Sequence, residues 1–322
     1  YLIDKMLRGF AVAYVEAGER RALRLMTGLA DWFGYGVLDK LTDEQIQKLL
    51  VCEHGSINES FLHVYALTGE PRYLAWAGRL NDRSMWVPLS ENRDILNGWH
   101  ANTQIPKFIG FERYFAYTGD ERFDRAAWNF WEIVTQHHSW AIGGNSTGEH
   151  FFPASRFEEK LMEQGGPETC NSVNMMRLTE CLFARKPSAR LAEYYERVLL
   201  NHILAAYDPC KGMCCYFTPM RPGHYRVYGS KDRSFWCCNQ SGLETPAKLG
   251  RMIFAKRDGD LLVNLFVPAR VDWRERQIIL TQYASLPESS EVTLVLESGR
   301  DRDFRLLVRD PGWSSETRLP LD

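Results

Sequence analysis

The chain has 322 residues, 45% of them apolar and 25% charged, with a formal net charge of −2. That balance fits a folded globular chain with a large core and gives no basic excess for nucleic acid or an anionic membrane surface. Apolar runs are broken by charge well before the ~18 residues a spanning helix needs, so no membrane span is expected.

Residues 5–32 carry apolar side chains at helical spacing, interrupted at Ala17-Gly18-Glu19. The same object recurs in Tyr65-Ala-Leu-Thr-Gly-Glu-Pro-Arg-Tyr73 and Phe115-Ala-Tyr-Thr-Gly-Asp-Glu-Arg-Phe123, and in degenerate form in Phe183-Ala-Arg-Lys-Pro-Ser-Ala-Arg-Leu191. A period of about fifty residues built from helix-turn-helix units means an array of α-hairpins, either an open solenoid or a closed α/α toroid. The last spacing is longer than the others, and the excess falls in 136–167, a loop rich in Gly, His, Ser and Pro. Long loops on a helical frame are where function tends to sit.

From residue 201 the pattern changes. Met213–Thr218 and Tyr225–Tyr228 read as a hairpin pair, and a last helix is expected around 243–255. Period-two runs at Leu261–Val267, Gln277–Thr281, Glu291–Leu296 and Phe304–Val308 read as strands beginning a β-sandwich, with a domain boundary near 256–260. The start at Tyr1 shows no signal peptide, and an interior piece of a longer chain is expected.

Eight cysteines, with neighbours at 214-215 and 237-238, point to thiol or metal chemistry rather than a disulfide framework, which leaves the compartment open. Glu168 and Cys170, in Pro167-Glu-Thr-Cys-Asn171, together with Cys237 and Cys238 offer one carboxylate and three thiolates, a tetrahedral set for zinc (Zn2+). Adjacent cysteines make a strained disulfide, and paired thiolates repel unless a cation neutralises them. One of these sulfurs then becomes a candidate nucleophile. Glu149, between Gly148 and His150 and followed by Phe151-Phe152, is a candidate general acid, since aromatic neighbours raise a carboxyl pKa. His54, His100, Asn102, Gln104 and His150 are candidate contacts to a polyhydroxylated ligand. Cys214 and Cys215 lie on a strand pattern whose side chains alternate, which argues against a second metal site there.

With these residues laid out, the chain resembles the β-L-arabinofuranosidase superfamily of glycoside hydrolases, families 127 and 146. The resemblance is carried by Cys52-Glu-His-Gly-Ser-Ile-Asn-Glu59, His100-Ala-Asn-Thr-Gln-Ile-Pro-Lys107, Gly148-Glu-His-Phe151, Glu168-Thr-Cys-Asn171, Tyr194-Tyr-Glu-Arg-Val-Leu-Leu-Asn201, Pro222-Gly-His-Tyr225 and Phe235-Trp-Cys-Cys238. It implies a mainly α fold, an (α/α)6 toroid incomplete at its N-terminus over 1–256, followed by the start of a β-sandwich over 257–322. It also implies zinc on Glu168, Cys170, Cys237 and Cys238, Cys237 as nucleophile, Glu149 as acid/base, and an oligosaccharide or polysaccharide substrate bearing terminal L-arabinofuranose. The chain departs from the family pattern at Asp4, where histidine is usual, which implies an altered sugar contact. Two rival readings stand beside it: a non-catalytic, glycan-binding toroid with structural zinc, and a toroid lyase or epimerase with His100 as base.

Overall fold

The computed structural model describes residues 1–299 and 303–320. Four antiparallel helix hairpins form its helical body. The first pairs α1 (Leu2–Val15) with α2 (Arg20–Gly36) and is followed by the short α3 (Asp43–Leu49). The second pairs α4 (Ile57–Thr68) with α5 (Pro71–Arg79), and α6 (Arg83–Ser90) leads to the third, α7 (Ala101–Thr118) with α8 (Glu121–His137). After a long loop that holds the single-turn α9 (Phe157–Leu161) comes the fourth, α10 (Thr169–Arg185) with α11 (Ala189–Val198), and later α12 (Cys237–Glu244).

The recurring Thr-Gly-acid sequence explains why these hairpins turn where they do. Gly69 and Gly119 cap α4 and α7 in the left-handed conformation at φ +72° and +71°, which costs glycine nothing. Asp120 then caps α8 by accepting from the Arg122 amide, and Pro71 opens α5 at its first position. The capping box of Thr42 and Gln45 does the same for α3, a helix the periodicity reading passed over.

Helices α1, α4, α7 and α10 pack successively against one another as the inner layer, and α2, α5, α8 and α11 cover them. The sequence reflects this split. Inner α4 and α7 are buried around most of their circumference, whereas outer α2, α8 and α11 are amphipathic. Gly110 lets α4 approach α7, because a Cβ there would lie 2.3 Å from the Asn58 side chain. This arrangement is an α/α toroid. Asp4 is fully buried, accepting from Ser60 Oγ at 2.6 Å and Ser56 Oγ at 3.5 Å, and so fastens α1 to the start of α4.

Six strands follow. β1 (Phe254–Arg257) pairs antiparallel with β2 (Asp260–Val263), which pairs parallel with β6 (Leu306–Val308). β3 (Ala269–Trp273), β4 (Ile278–Ala284) and β5 (Val292–Ser298) form an antiparallel meander. Leu261, Val263, Trp273, Ile278 and Leu280 make the core between the sheets.

Several boundaries differ from the sequence reading. The last helix starts at Cys237 rather than near 243, because 249–253 is taken up by turns that lead into β1. The expected 213–218 and 225–228 hairpin reduces to isolated bridges, Cys215 to Tyr228 and Tyr207 to Cys214, since 213–218 also pairs with residues near Glu168. Within 256–260 the chain makes the tight β1–β2 turn at Asp258-Gly259, both left-handed at φ +52° and +88°, the conformation Asp-Gly favours. Among the described residues, no helix is long and apolar enough to cross a membrane.

Candidate active site

Two helix starts converge at the centre of the site. Glu168 occupies the position before α10 and Cys170 is the second residue of that helix; Cys237 and Cys238 are the first two of α12. Free amides at a helix start favour negative charge, so both sites suit ionised ligands. Cys238 Sγ lies 3.5 Å and Cys237 Sγ 3.8 Å from Glu168 Oε1, and Cys170 Sγ lies 3.2 Å from Ser241 Oγ on α12. The three sulfurs and one carboxylate oxygen all fall within 4.8 Å of one another. Glu168, Cys170 and Cys238 are buried, and Cys237 alone is partly open.

Glu149 reaches the same place from the long loop. Its carbonyl accepts from the Ala101 amide at 2.7 Å, and Phe151 N donates to Trp99 O at 2.9 Å, pinning the loop along the start of α7. Glu149 itself sits at φ +73°, a strained conformation for a residue with a Cβ. Its Oε2 lies 3.6 Å from His100 Nε2, and the His100 and His150 rings meet edge to face at 5.3 Å. The Tyr216 hydroxyl donates to Glu149 Oε1 and lies 3.7 Å from Cys237 Sγ, so a single hydroxyl joins the carboxyl to the thiol.

Residues 1–251 match the catalytic domain of the GH127 β-L-arabinofuranosidases, and 260–322 match the GH127 middle domain. The chain belongs to this family. Three solved structures share its fold. A GH127 β-arabinofuranosidase, BT3674, is 20% identical with a TM-score of 0.79, over 97% of this chain and 50% of its own. A GH127 β-L-arabinofuranosidase from Geobacillus stearothermophilus T6 is also 20% identical, TM-score 0.74, over 97% of this chain and 55% of its own. A protein described as a glycoside hydrolase is 17% identical, TM-score 0.77, over 98% and 57%. The chain thus spans about half the length of these structures. No curated protein sequence matches it.

Within this GH127 chain the remaining candidates separate. Asn102 Oδ1 accepts from Asn174 Nδ2 at 2.9 Å, linking inner helices α7 and α10. Gln104 is buried, its Oε1 taken by Lys107 Nζ at 2.8 Å, and Lys107 is paired with Asp82 at 2.7 Å. His54 is buried too, with Nδ1 3.1 Å from Leu50 O and 3.2 Å from Cys52 O; burial and then Lys107 push its pKa down to about 4, so it is neutral at pH 7. His100, His150 and Glu149 are brought together at the thiol cluster, whereas His54 and Gln104 are engaged in the packing behind it.

Tyr216 was not among the sequence candidates. Its one visible signal was the alternation of Cys214-Cys-Tyr-Phe217, which faces Tyr216 away from the buried Cys215. What brings it to the site is pairing with distant chain: Thr169 N donates to Tyr216 O at 3.0 Å, Thr218 N to Pro167 O at 3.0 Å, and Thr169 Oγ1 to Cys215 O at 2.8 Å.

The electrostatics show what the cluster lacks. Burial and the neighbouring Cys237 push Glu168 up to about 8, and Glu168 Oε2 is buried with no partner. Burial pushes Cys238 up, sharing a proton with Cys237 pushes Cys170 up, and hydrogen bonds from those two thiols pull Cys237 down. Only one of the four groups can therefore ionise readily while the cluster is alone. A cation would satisfy the orphaned oxygen and stabilise all three sulfurs as thiolates, so the donor set fits a metal ion.

Proposed function

We propose that this chain carries the catalytic site of a retaining glycosidase that removes terminal β-L-arabinofuranose, or a similar furanose, from plant-type glycans. In this reading residues 1–256 form the catalytic domain and 257–322 a β-sandwich domain. Glu168, Cys170, Cys237 and Cys238 would hold zinc, which would supply the charge that keeps the Cys237 sulfur ionised and a tolerable leaving group.

The observation that carries the proposal is the Tyr216 hydroxyl that touches both Glu149 and Cys237. One hydroxyl in reach of both brings the carboxyl and the thiol to the same small region, and retaining two-carboxylate pairs work across about 5 Å. The Cys237 thiolate attacks C1, the bond from C1 to the leaving oxygen breaks, and Glu149 gives that oxygen its proton. Glu149, now a carboxylate, takes a proton from water; the water oxygen bonds to C1, and the C1–S bond breaks to restore the thiolate. Two inversions at C1 retain its configuration. His100 and His150 flank Glu149 as sugar contacts, with Asn102 beside them, while Gln104 Nε2 donates to the His100 carbonyl at 3.5 Å and His54 packs against Leu50 O and Cys52 O.

The test is release of p-nitrophenol from p-nitrophenyl β-L-arabinofuranoside, with Cys237→Ser and Glu149→Gln as controls and metal content measured alongside. A closed set of four protein ligands is also typical of structural zinc, which favours a second reading as a glycan-binding toroid. No turnover, with glycan binding equal in all three proteins, would select that reading.

A further inference from the structure

We propose that Asn171 is a positioning residue for Glu149, tying the loop that carries the acid/base to the same helical turn that carries Cys170. The inference rests on the reading of Glu149 given above. Asn171 is fully buried on α10, directly after Cys170, and its Nδ2 donates to Ser146 Oγ at 2.8 Å. Ser146 is itself fully buried and left-handed at φ +72°. Its carbonyl is also held, by Trp140 Nε1 at 2.9 Å. Between Gly143 and Glu149 the backbone takes positive φ four times, at Gly143, Ser146, Gly148 and Glu149. A non-glycine residue in that region costs on the order of 1–3 kcal/mol and persists only where its surroundings hold it there.

Two anchors hold this loop on either side of the Glu149 side chain. Downstream, the Ala101 amide takes the Glu149 carbonyl. Upstream, the Asn171 to Ser146 bond refers the loop to the turn of α10 that begins at Glu168 and Cys170. The acid/base and the thiol cluster therefore share one rigid reference. Without the clasp, Glu149 keeps its chemistry and loses its register on the leaving-group oxygen.

A misplaced acid has a signature that a general loss of stability lacks. An alkyl leaving group needs its proton during bond cleavage, whereas p-nitrophenolate departs with little help. Asn171→Ala should lose roughly 10- to 100-fold in kcat/KM on methyl β-L-arabinofuranoside and no more than about threefold on the p-nitrophenyl substrate. It should retain the metal content of the wild type. Ser146→Ala removes the other end of the same bond and should show the same selective loss, and the double variant should be no worse than either single one. Should Asn171→Ala fail to fold, Ser146→Ala decides. Equal losses on both substrates, no loss on either, or losses that track metal content would overturn the proposal. A wild type that cleaves neither glycoside would instead overturn the reading of function beneath it.

Discussion

Two of the groups of ionisable side chains buried among the helices of the toroid are opposites. Around Glu59 on α4 the charges close on themselves. Arg177 of α10 donates to both its oxygens at 2.9 and 3.0 Å, Arg113 of α7 lies 3.3 Å away, and His63 lies 3.5 Å away. Burial alone would push Glu59 up, but Arg177, His63, Arg8 and Arg113 hold it well below the ordinary carboxylate range. Around Glu168, among the described residues, there are three thiols and no cationic side chain, one carboxylate oxygen has no partner, and the carboxyl is pushed up to about 8. One fully buried glutamate is satisfied by cationic neighbours and the other is surrounded by further acceptors. A self-satisfied cluster of buried charge reads as architecture, and an acceptor-rich one reads as a site.

The comparison is broken most severely by changing the reacting groups. Cys237→Ala and Glu149→Gln should each lower furanosidase turnover at least about a thousandfold; Glu149→Gln should leave the thermal midpoint near that of wild type, while Cys237→Ala, which also removes a donor from the thiol cluster, should lower it. A variant that keeps a tenth of the activity would remove that residue from the chemistry.

The metal-free protein offers a second break. A carboxyl raised from its ordinary value to about 8 favours folding least when ionised, whereas the depressed Cys237 thiol has the opposite sign over the same range; in chelated Cys237→Ala, where that offset is gone, stability should fall as pH rises from about 4.5 to 8. Denaturant melts at pH 5 and pH 8, with and without added zinc, read this directly. The wild type, which keeps both groups, should show a weaker trend, and a chelated Cys237→Ala protein equally stable at both pH values would contradict the raised Glu168 carboxyl. Glu59 carries the opposite sign: its stabilisation is present above the unfolded pKa and is lost only as pH falls through its depressed folded value.

Glu59→Gln sharpens the contrast from the architectural side. Removing the one carboxylate leaves buried guanidiniums unpaired and should cost about 3–5 kcal/mol in urea unfolding. The folded fraction should still bind metal at the Glu168 cluster, and loss of metal affinity without loss of stability would reverse the assignment of the two clusters. The smallest expected effect belongs to Tyr216→Phe, which removes the hydroxyl between Glu149 and Cys237. It should lower kcat about 10- to 100-fold with little change in stability, because the ring keeps its contacts with Phe217 and Trp236. An unchanged kcat would make the hydroxyl a spectator.

How much of this was legible beforehand depends on the range of the interaction. The glycine turns, capping acids and apolar spacing of the four hairpins are properties of neighbouring residues, so the repeat could be read from the chain; it left an open solenoid or a closed toroid, and the family blocks implied the toroid. The donor set could be proposed because Glu-x-Cys and Cys-Cys carry their chemistry in their residue types, and the family blocks placed Glu149 beside it. Short apolar runs were harder. The pairing of 213–218 with the start of α10 replaced an expected hairpin, and the start of α12 at Cys237 rather than near 243 escaped the periodicity because Cys-Cys-Asn-Gln has almost none.

The sequence by itself determined the helical repeat, the β-strand region that follows it, and the residue types able to gather a cation, since each depends on local propensity or on chemistry carried by the side chain. Only the tertiary structure decided that Tyr216 stands between Glu149 and Cys237, that His54 and Gln104 turn into the packing, and that Asn171 grips Ser146. Those contacts join segments tens of residues apart, and their distances are set by how the inner helices dock rather than by any preference written within one segment.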